Sequence, residues 1–278
     1  RVFGEVTQAL TTLIFQRNKN HKDHKLHLVT KKGGNTIIKQ DDLLKNDNYE
    51  FIIKNKVIEK SKGQKLKISD LCEGYQGEIN VSTKKEFFIN EKRNNYLPLL
   101  RGNQIMRYRL LSSDEFCPIN IDKRGHWKNQ RIVLQEVSNQ QQDRRIKAVL
   151  VSKNVLCGHT TNYLFLRGKN INIYYLLGLL NSRIVNYYFK YFNNTNHVPI
   201  GEVKNIPVPN VDRNKQTIIG DLVKTIVNFQ KKLSITEKNS NKYEHLKSEI
   251  EKTDKKIDEE VYKLYGLTPA EIKIVENN

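Results

Sequence analysis

The chain is poor in the residues that build covalent or metal-based frameworks. Its 278 residues include only three cysteines, Cys72, Cys117 and Cys157, and no two of them form a C-x-x-C pair. This spacing argues against a disulfide scaffold and a cysteine-based zinc site, and it fits a reducing cytoplasm. No uncharged stretch of about 20 apolar residues is present, so the sequence predicts no membrane-spanning segment.

Several catalytic signatures are also missing. None of the six prolines are adjacent, which excludes the Asp/Asn-Pro-Pro-aromatic loop that amino-methylating DNA enzymes use. No G-x-G turn follows a predicted strand, and no phosphate-binding G-x-x-x-x-G-K-[ST] loop occurs. Glu-x-Lys occurs at residues 202–204 and 271–273, but no acidic residue lies between Asp143 and the first of these to complete a nuclease site. The Cys-Gly-His run at 157–159 has no evident acid to orient its histidine. We therefore predict no catalytic residue, metal ligand or cofactor site in this chain.

Basic residues are in excess, and the excess is uneven. The chain has 48 Lys and Arg against 30 Asp and Glu, a net charge of +18. Residues 242–278 carry 7 basic and 9 acidic residues, so the first 241 residues carry 41 against 21. A surface with this much positive charge usually meets a polyanion. Double-stranded DNA is the first expectation, an anionic membrane surface the second, and a basic protein without any polyanionic partner the third.

Short apolar runs between Gly, Asn and Pro predict strands in the first 170 residues. The strongest are EFFI (86–89), RIVLQEV (131–137), AVLVS (148–152) and YLFLRG (163–168). Weaker strands are predicted at Ala9–Phe15, at KLHLV (25–29), at Tyr49–Ile53 and at Val57–Ile58.

Helical spacing replaces the strand pattern after residue 172. Apolar residues at spacings of three and four predict one helix over 173–192, with Asn181 and Ser182 satisfying backbone polar groups where it meets the sheet. Two further helices are predicted over 219–233 and from Tyr243 to Leu264. Gly266 is predicted to close the latter, and Thr268-Pro269-Ala270-Glu271 to open a last helix through a capping box. The fold class expected is α+β, a β-rich body packed on helices with a C-terminal helix–turn–helix tail.

Six stretches resemble, in order, one protein family. These are GYQGEINVSTKKEFFI (74–89), LPLLRGNQIMRYRL (97–110), RIVLQEVSNQQQDRRIKAVL (131–150), YLLGLLNSRIVNYYFK (175–190), VPIGEVKNIPVP (198–209) and IDEEVYKLYGLTPAEIKIVE (257–276). Together they are similar to the TaqI-like C-terminal specificity, or target recognition, domain of N6-adenine DNA methyltransferases and type IIG restriction–modification enzymes.

The resemblance implies an organisation in three parts. Residues 1–32 are expected to be the final strands of a truncated methyltransferase domain, so that the chain is a piece of a longer protein. Residues 33–210 are expected to form the TaqI-like DNA target recognition domain, and residues 211–278 a helical C-terminal segment.

The resemblance also implies a function. Such a domain recognises a double-stranded DNA sequence, while a fused or associated methyltransferase domain flips out and modifies the target adenine. S-adenosylmethionine, with Mg²⁺ if the parent also acts as an endonuclease, is expected for the full-length protein, which would lie in a bacterial or archaeal cytoplasm. No cofactor is expected in this part.

Three basic clusters between residues 84 and 169 are the predicted DNA contacts. Arg, Asn and Gln read base edges, Lys and Arg neutralise phosphates, and an aromatic side chain can stack. The predicted contacts are Arg101, Asn103, Gln104, Arg107, Arg109, Lys123, Arg124, Trp127, Lys128, Arg131, Arg144 and Arg145. Weaker candidates are Asn193, Asn194 and Asn196.

Three other functions remain open from the sequence. One is the target recognition half of a type I restriction specificity subunit, which docks on separate methylase subunits. Another is a metal-dependent nuclease built on the Glu-x-Lys at 202–204. The last is a nucleic-acid-binding module without sequence preference.

Overall fold

A computed structural model describes residues 25–29, 35–39, 55–168 and 171–277. The chain divides into two compact units, Arg1–Glu59 and Lys60–Asn278. The strands are β1 (Lys25–Val29), β2 (Asn35–Lys39), β3 (Leu66–Lys67), β4 (Cys72–Gln76), β5 (Tyr96–Leu100), β6 (Ile105–Met106), β7 (Arg109–Leu110), β8 (Phe116–Pro118), β9 (Arg131–Gln135), β10 (Ala148–Val151), β11 (Leu156–Cys157), β12 (Thr161–Leu166) and β13 (Pro207–Val208). The helices are α1 (Lys56–Lys62), α2 (Ile68–Leu71), α3 (Ile173–Asn181), α4 (Arg183–Phe192), α5 (Ile200–Lys204), α6 (Arg213–Ser234), α7 (Asn241–Leu264) and α8 (Pro269–Glu276). The α+β class predicted from the sequence is confirmed.

The described strands of the first unit form one antiparallel pair. In it β1 lies against β2, with Val29 opposite Asn35. The strand predicted at 25–29 is therefore confirmed. The predicted strands at 9–15 and 49–53 lie outside the described residues.

The strand predicted at Val57–Ile58 is wrong, because both residues lie in helix α1. Asn55 precedes the helix, and its side-chain oxygen accepts from the Val57 N–H at 3.1 Å and from the Ile58 N–H at 3.3 Å. Two adjacent β-branched residues suggest a strand, but an Asn cap supplies the acceptor that the first helical N–H groups need.

A four-stranded antiparallel sheet forms the main β layer, with strand order β10-β9-β12-β4. Val133 of β9 lies opposite Val149 of β10 and Tyr163 of β12, so all three side chains share one face. They are buried together with Leu100 and Ile105. Burial of apolar area on this face is a main stabilising contribution to the body.

A three-stranded sheet lies beside this core. Strand β11 runs parallel to β5, and β8 runs antiparallel to β5 on its other side. Its core consists of Ile79, Leu99, Cys117 and Leu156, with Trp127 packed at its border. The border position of Trp127 ties the loop that carries it to a rigid base.

Three of the strongly predicted strands are confirmed as β9, β10 and β12. The strand predicted at 86–89 is wrong, since residues 85–87 form a single 3-10 turn. Only Ile89 of this run makes a β-bridge, to Phe116. A short aromatic run does not distinguish a strand from a turn that packs its rings on a core.

The helix predicted over 173–192 is two helices, α3 and α4, because Ser182 between them has an extended backbone with φ −72° and ψ 155°. Its hydroxyl donates to the Leu179 carbonyl at 2.7 Å and accepts from the Val185 N–H at 3.4 Å, which ends one helix and caps the next. Within the described residues, no helix combines the length and the apolar character that crossing a bilayer requires.

The role predicted for Asn181 at the junction of helix and sheet is confirmed. Its amide nitrogen donates to the Ala148 carbonyl at 2.9 Å, and its amide oxygen accepts from the Ala148 N–H at 3.0 Å. Asn186 likewise accepts from the Ile146 N–H at 2.7 Å. Because β10 is an outer strand of its sheet, these buried amides replace the missing neighbouring strand.

The C-terminal helices follow the sequence prediction. Helix α7 packs along α6, and Gly266, with φ +65°, follows its end. Thr268 then accepts from the Glu271 N–H at 3.4 Å while the Glu271 carboxylate accepts from the Thr268 N–H at 2.7 Å. This reciprocal pair confirms the predicted capping box at the start of α8.

Glu271 gives the C-terminal segment a dependence on pH. The Lys60 ammonium donates to its carboxylate at 2.7 Å, and this bond together with the Thr268 N–H lowers the pKa of Glu271 to about 2. Because the folded pKa lies below the ordinary value of 4.5, the stabilisation is present above about pH 4.5 and is lost as the pH falls towards 2. We expect Glu271→Gln to be less stable than the wild type at pH 7, with the difference narrowing at pH 3.

Urea unfolding at the two pH values measures this difference. Glu259→Gln is the matched control, since Glu259 is an exposed residue of α7 with no ion pair to any described residue. Its stability should follow that of the wild type at both pH values. An equal deficit of Glu271→Gln at pH 7 and pH 3 would contradict the assignment.

Candidate nucleic-acid interface

Residues 122–130, here called the basic loop, present three cations on a rigid turn. The Asp122 carboxylate accepts from the Arg124 N–H at 2.9 Å and from the Gly125 N–H at 2.8 Å. Gly125 has φ +70°, a conformation that favours glycine, and residues 126–128 then form a 3-10 turn. Lys123, Arg124 and Lys128 are exposed. The three cations therefore lie on one loop, and the local Asp and Gly explain its shape.

Hydrogen bonds anchor the basic loop on the four-stranded sheet. His126 Nδ1 lies 3.0 Å from the Tyr163 hydroxyl, and the Arg124 guanidinium donates to the same hydroxyl at 3.2 Å and to the Gln76 carbonyl at 2.8 Å. The Asn154 N–H donates to the Trp127 carbonyl at 2.7 Å. These bonds join the loop to β4, β12 and the segment before β11, so its backbone and the Arg124 side chain are held in place.

A cluster of aromatic rings lies beside Arg124. Tyr75, His126 and Phe165 are half-buried around Tyr163, with ring centroids 4.8 to 6.4 Å apart. The Arg124 guanidinium lies 5.9 Å from the centre of the Tyr75 ring. Within the described chain, Lys123, Arg124 and Lys128 have no carboxylate partner. Their charges are therefore available to an anion.

The second predicted cluster, residues 101–109, is largely engaged with the protein itself. Arg101 makes two hydrogen bonds to the Glu115 carboxylate, at 2.5 and 2.8 Å. Gln104 accepts from the Arg101 N–H and donates to the Ser112 carbonyl. Arg107 donates to Asp254 of α7. These contacts shape the segment and leave less charge free there than in the basic loop.

Asn103 and Arg109 complete this cluster. Asn103 is exposed, whereas Arg109 is half-buried and its Nε has no partner among the described residues. Of this group, Asn103 therefore has the most accessible side chain. Met106 and Leu110, exposed to 37% each, flank Arg109 on the two strands of the β6–β7 hairpin.

Three predicted DNA contacts lie in the interior. Arg131 is 0% exposed and pairs with Glu78, Arg144 is 9% exposed and pairs with Asp258 at 2.5 Å, and Arg145 is 1% exposed. The structure does not bring them to the surface of the basic loop. Contact of these three residues with DNA stays a prediction.

The polar stretches dismissed as catalytic candidates also have structural roles. Burial raises the pKa of the Cys157 thiol to about 12, and His159 Nδ1 accepts from the Val81 N–H at 3.1 Å rather than facing the sulfur. Glu202 lies in helix α5, not on a strand, and accepts from the Asn193 amide at 2.6 Å. Among the described residues, no three His, Cys, Asp or Glu side chains are grouped so as to hold a metal.

Two exposed basic residues near the basic loop are absent from the sequence prediction. Lys153 lies next to Asn154, which binds the Trp127 carbonyl, and Arg167 follows strand β12. Each is a single basic residue outside any cluster. Only the fold shows that their segments adjoin the anchored loop.

Comparison with known proteins identifies part of the chain. Residues 97–208 match the family model described as the TaqI-like C-terminal specificity domain. No curated protein matches the sequence.

Three solved structures with similarity to the chain come from restriction–modification systems. The type IIL restriction–modification enzyme MmeI in complex with DNA shares 13% identity at a TM-score of 0.49, over 93% of this chain and 41% of that one. The HsdS subunit from Thermoanaerobacter tengcongensis shares 13% identity at a TM-score of 0.40, over 68% and 44%. The type I system S subunit from M. genitalium shares 18% identity at a TM-score of 0.40, over 75% and 47%. This chain spans less than half the length of each of these proteins.

The matched segment contains the basic loop, the β6–β7 hairpin and helices α3 and α4. It also contains strands β9, β10 and β12 of the four-stranded sheet. Residues 97–208 of this chain are therefore similar to the TaqI-like C-terminal specificity domain.

Proposed function

We propose that this chain recognises a sequence in double-stranded DNA as the specificity part of a restriction–modification enzyme. The observation that carries the proposal is the basic loop, a rigid turn inside the specificity domain that exposes Lys123, Arg124 and Lys128 without carboxylate partners. Exposed cations that are not paired with a carboxylate suit phosphate groups, which position a protein on the duplex. The excess of positive charge in the first 241 residues supports the same partner.

The remaining parts of the proposal concern the full-length protein. We propose that it is an adenine-specific DNA methyltransferase, with or without an endonuclease, and that the catalytic domain and its S-adenosylmethionine lie outside the described residues. An endonuclease would also require Mg²⁺. The resemblance noted in the sequence supports these assignments. The three free, buried cysteines are compatible with a cytoplasmic location in a bacterium or archaeon.

The domain limits follow the same proposal. We propose that residues 33–210 are the target recognition domain, that residues 1–32 end a methyltransferase domain, and that residues 211–278 are a helical segment. A type I specificity subunit is the alternative, in which the methylase is a separate chain. An Asp/Asn-Pro-Pro-aromatic motif in the same polypeptide would favour the fused enzyme.

Substitution of the basic loop tests DNA binding. We expect Lys123→Ala/Arg124→Ala/Lys128→Ala to weaken binding to duplex DNA by about 10- to 100-fold at 0.1 M salt. The logarithm of the binding constant should also fall less steeply with the logarithm of salt concentration, by about 3 in slope if each cation meets one phosphate. Gel-shift titrations at several salt concentrations measure both quantities.

The control variant replaces three exposed lysines elsewhere in the chain, so it changes the net charge by the same amount. Lys242, Lys256 and Lys273 lie in the C-terminal segment, where acidic residues outnumber basic ones. Their triple alanine variant should bind duplex with the affinity and salt slope of the wild type. Equal weakening by both variants would show a general charge effect and would sink the assignment of the basic loop.

A further inference from the structure

Two polar loops beside the four-stranded sheet form a surface of unusual composition. Residues 138–142 read SNQQQ and residues 193–197 read NNTNH, and they are here called the amide loops. Seven of these ten residues are Asn or Gln, and none is Lys, Arg, Asp or Glu. In a chain with 28% charged residues, such a surface is poorly suited to phosphate. Its side chains offer paired neutral donors and acceptors instead.

The amide loops are bonded to each other. The Ser138 N–H donates to the Asn196 carbonyl at 2.9 Å, and the Gln140 N–H donates to the Asn196 side-chain oxygen at 3.2 Å. The Gln140 side chain donates to the Asn194 carbonyl at 2.6 Å. These three bonds make one surface out of segments more than 50 residues apart in sequence.

A buried arginine, Arg145, forms hydrogen bonds to one of the two amide loops. The Arg145 guanidinium donates to the carbonyl and side-chain oxygens of Asn193, at 2.9 and 2.7 Å, and to the carbonyls of Thr195 and His197, at 2.6 and 2.8 Å. It also stacks over the Phe189 ring, 5.0 Å from its centre. Four bonds from one rigid guanidinium fix the backbone of residues 193–197, which an unsupported loop of this composition would not achieve.

Two amides of the surface remain free. Gln141 and Asn194 are both exposed, and neither side chain makes a hydrogen bond to any described residue. The other amides are partly used inside the surface, as Asn139 is in accepting from the Gln141 N–H at 2.8 Å. Gln141 and Asn194 are thus presented on a fixed base with their full hydrogen-bonding capacity.

We propose that the amide loops read the major-groove edge of an adenine, with Gln141 and Asn194 as the reading side chains and Arg145 as a positioning residue. A side-chain amide matches adenine because its NH₂ donates to N7 while its carbonyl accepts from the N6 amino group. The inference rests on the proposed function, since it names the base class that the same DNA-binding domain would recognise. The basic loop would position the duplex, and the amide loops would supply discrimination.

Selection of bound duplexes from a library with a randomised central region tests this role. We expect the wild type to select a sequence with a defined A·T pair. The Gln141→Ala/Asn194→Ala variant should lose preference at that pair by about 5- to 150-fold, while its salt-dependent binding to random duplex is unchanged. Asn214→Ala/Asn228→Ala, which removes two exposed amides of helix α6, is the matched control and should select the wild-type sequence.

Arg145→Lys tests the positioning role, because lysine keeps the charge but cannot make four bonds in one plane. It should relax preference at the same A·T pair and leave binding to random duplex unchanged. If Arg145→Lys unfolds, Gln140→Ala tests whether a fixed backbone at Asn194 is needed. Gln140 is half-buried, and this change removes only its side-chain hydrogen bond to the Asn194 carbonyl.

The possible outcomes separate the inference from the proposed function. A wild type that binds duplex but selects no sequence would refute sequence recognition itself. A wild type that selects a sequence, with Gln141→Ala/Asn194→Ala selecting it equally well, would refute only the role of the amide loops. Loss of a methyltransferase interaction in that variant, with selection unchanged, would likewise overturn the inference and assign the surface to protein contact.

Discussion

Replacing Asp258 by alanine should lower the free energy of unfolding by about 3–5 kcal/mol, the usual cost of removing one partner of a buried ion pair. Asp258 is 3% exposed, and its carboxylate accepts from the Arg144 guanidinium at 2.5 Å and from the Arg183 N–H at 2.8 Å. Without it, Arg144 would lose its nearest carboxylate, and the first N–H of helix α4 would lose its acceptor. Asp254 lies 3.1 Å from Arg144 and would compensate only in part.

Urea denaturation measures the loss, and an exposed ion pair provides the control. Asp221 pairs with Lys224 at 2.8 Å on helix α6, and both side chains are more than half exposed. Removing the Asp221 side chain should leave the free energy of unfolding close to that of the wild type, because solvent screens an exposed ion pair. A loss of less than about 1 kcal/mol for Asp258→Ala would show that the network around Arg144 contributes little.

Arg131→Met should produce a similar loss, about 3–5 kcal/mol, by leaving a carboxylate buried without its cation. The Glu78 side chain is 1% exposed, and the Arg131 guanidinium donates to its two oxygens at 3.1 and 3.3 Å. Arg131 also donates to the Val155 carbonyl and lies over the Tyr163 ring. Methionine fills much of the volume of the arginine side chain, so most of the lost stability should come from the Glu78 carboxylate, which is left buried without a cation.

A double-mutant cycle distinguishes this origin from a packing defect. Glu78→Gln in the Arg131→Met background removes the stranded charge and should recover a substantial part of the stability, so the two changes should be far from additive. The affinity of the folded double variant for duplex DNA tests the predicted contact of Arg131 with DNA, since a specific loss of binding would support that contact. Additive losses of stability would contradict the ion-pair account.

Local sequence signals were sufficient to predict a structural feature where the contacts that determine it lie within a few residues of each other. The capping box of Thr268 and Glu271 spans three residues, and Gly266 ends the preceding helix by its own conformation, so both could be predicted. The role of Asn181 was also predictable, because an amide inside an apolar helical face needs a polar partner. The break at Ser182 was not, since its hydroxyl bonds depend on where the two helices pack.

The burial of the arginines could not be read from the sequence. Arg131, Arg144 and Arg145 look the same as the exposed cations of the basic loop, because each lies in a polar stretch near other basic residues. What separates them are partners far along the chain, such as Glu78, 53 residues before Arg131, and Asp258, 114 residues after Arg144. Only the long-range pairing of strands and helices brings those groups together.

The bond from Arg107 and Arg144 to helix α7 has a practical consequence for engineering. Asp254 and Asp258 supply the carboxylates for two arginines of the segment that matches the family model, although they lie some 50 residues beyond its end. Anyone transplanting this segment into another protein would need to include α7. A graft cut near residue 210 would leave Arg107 and Arg144 without these carboxylates, so the grafted segment would be less stable than it is in this chain.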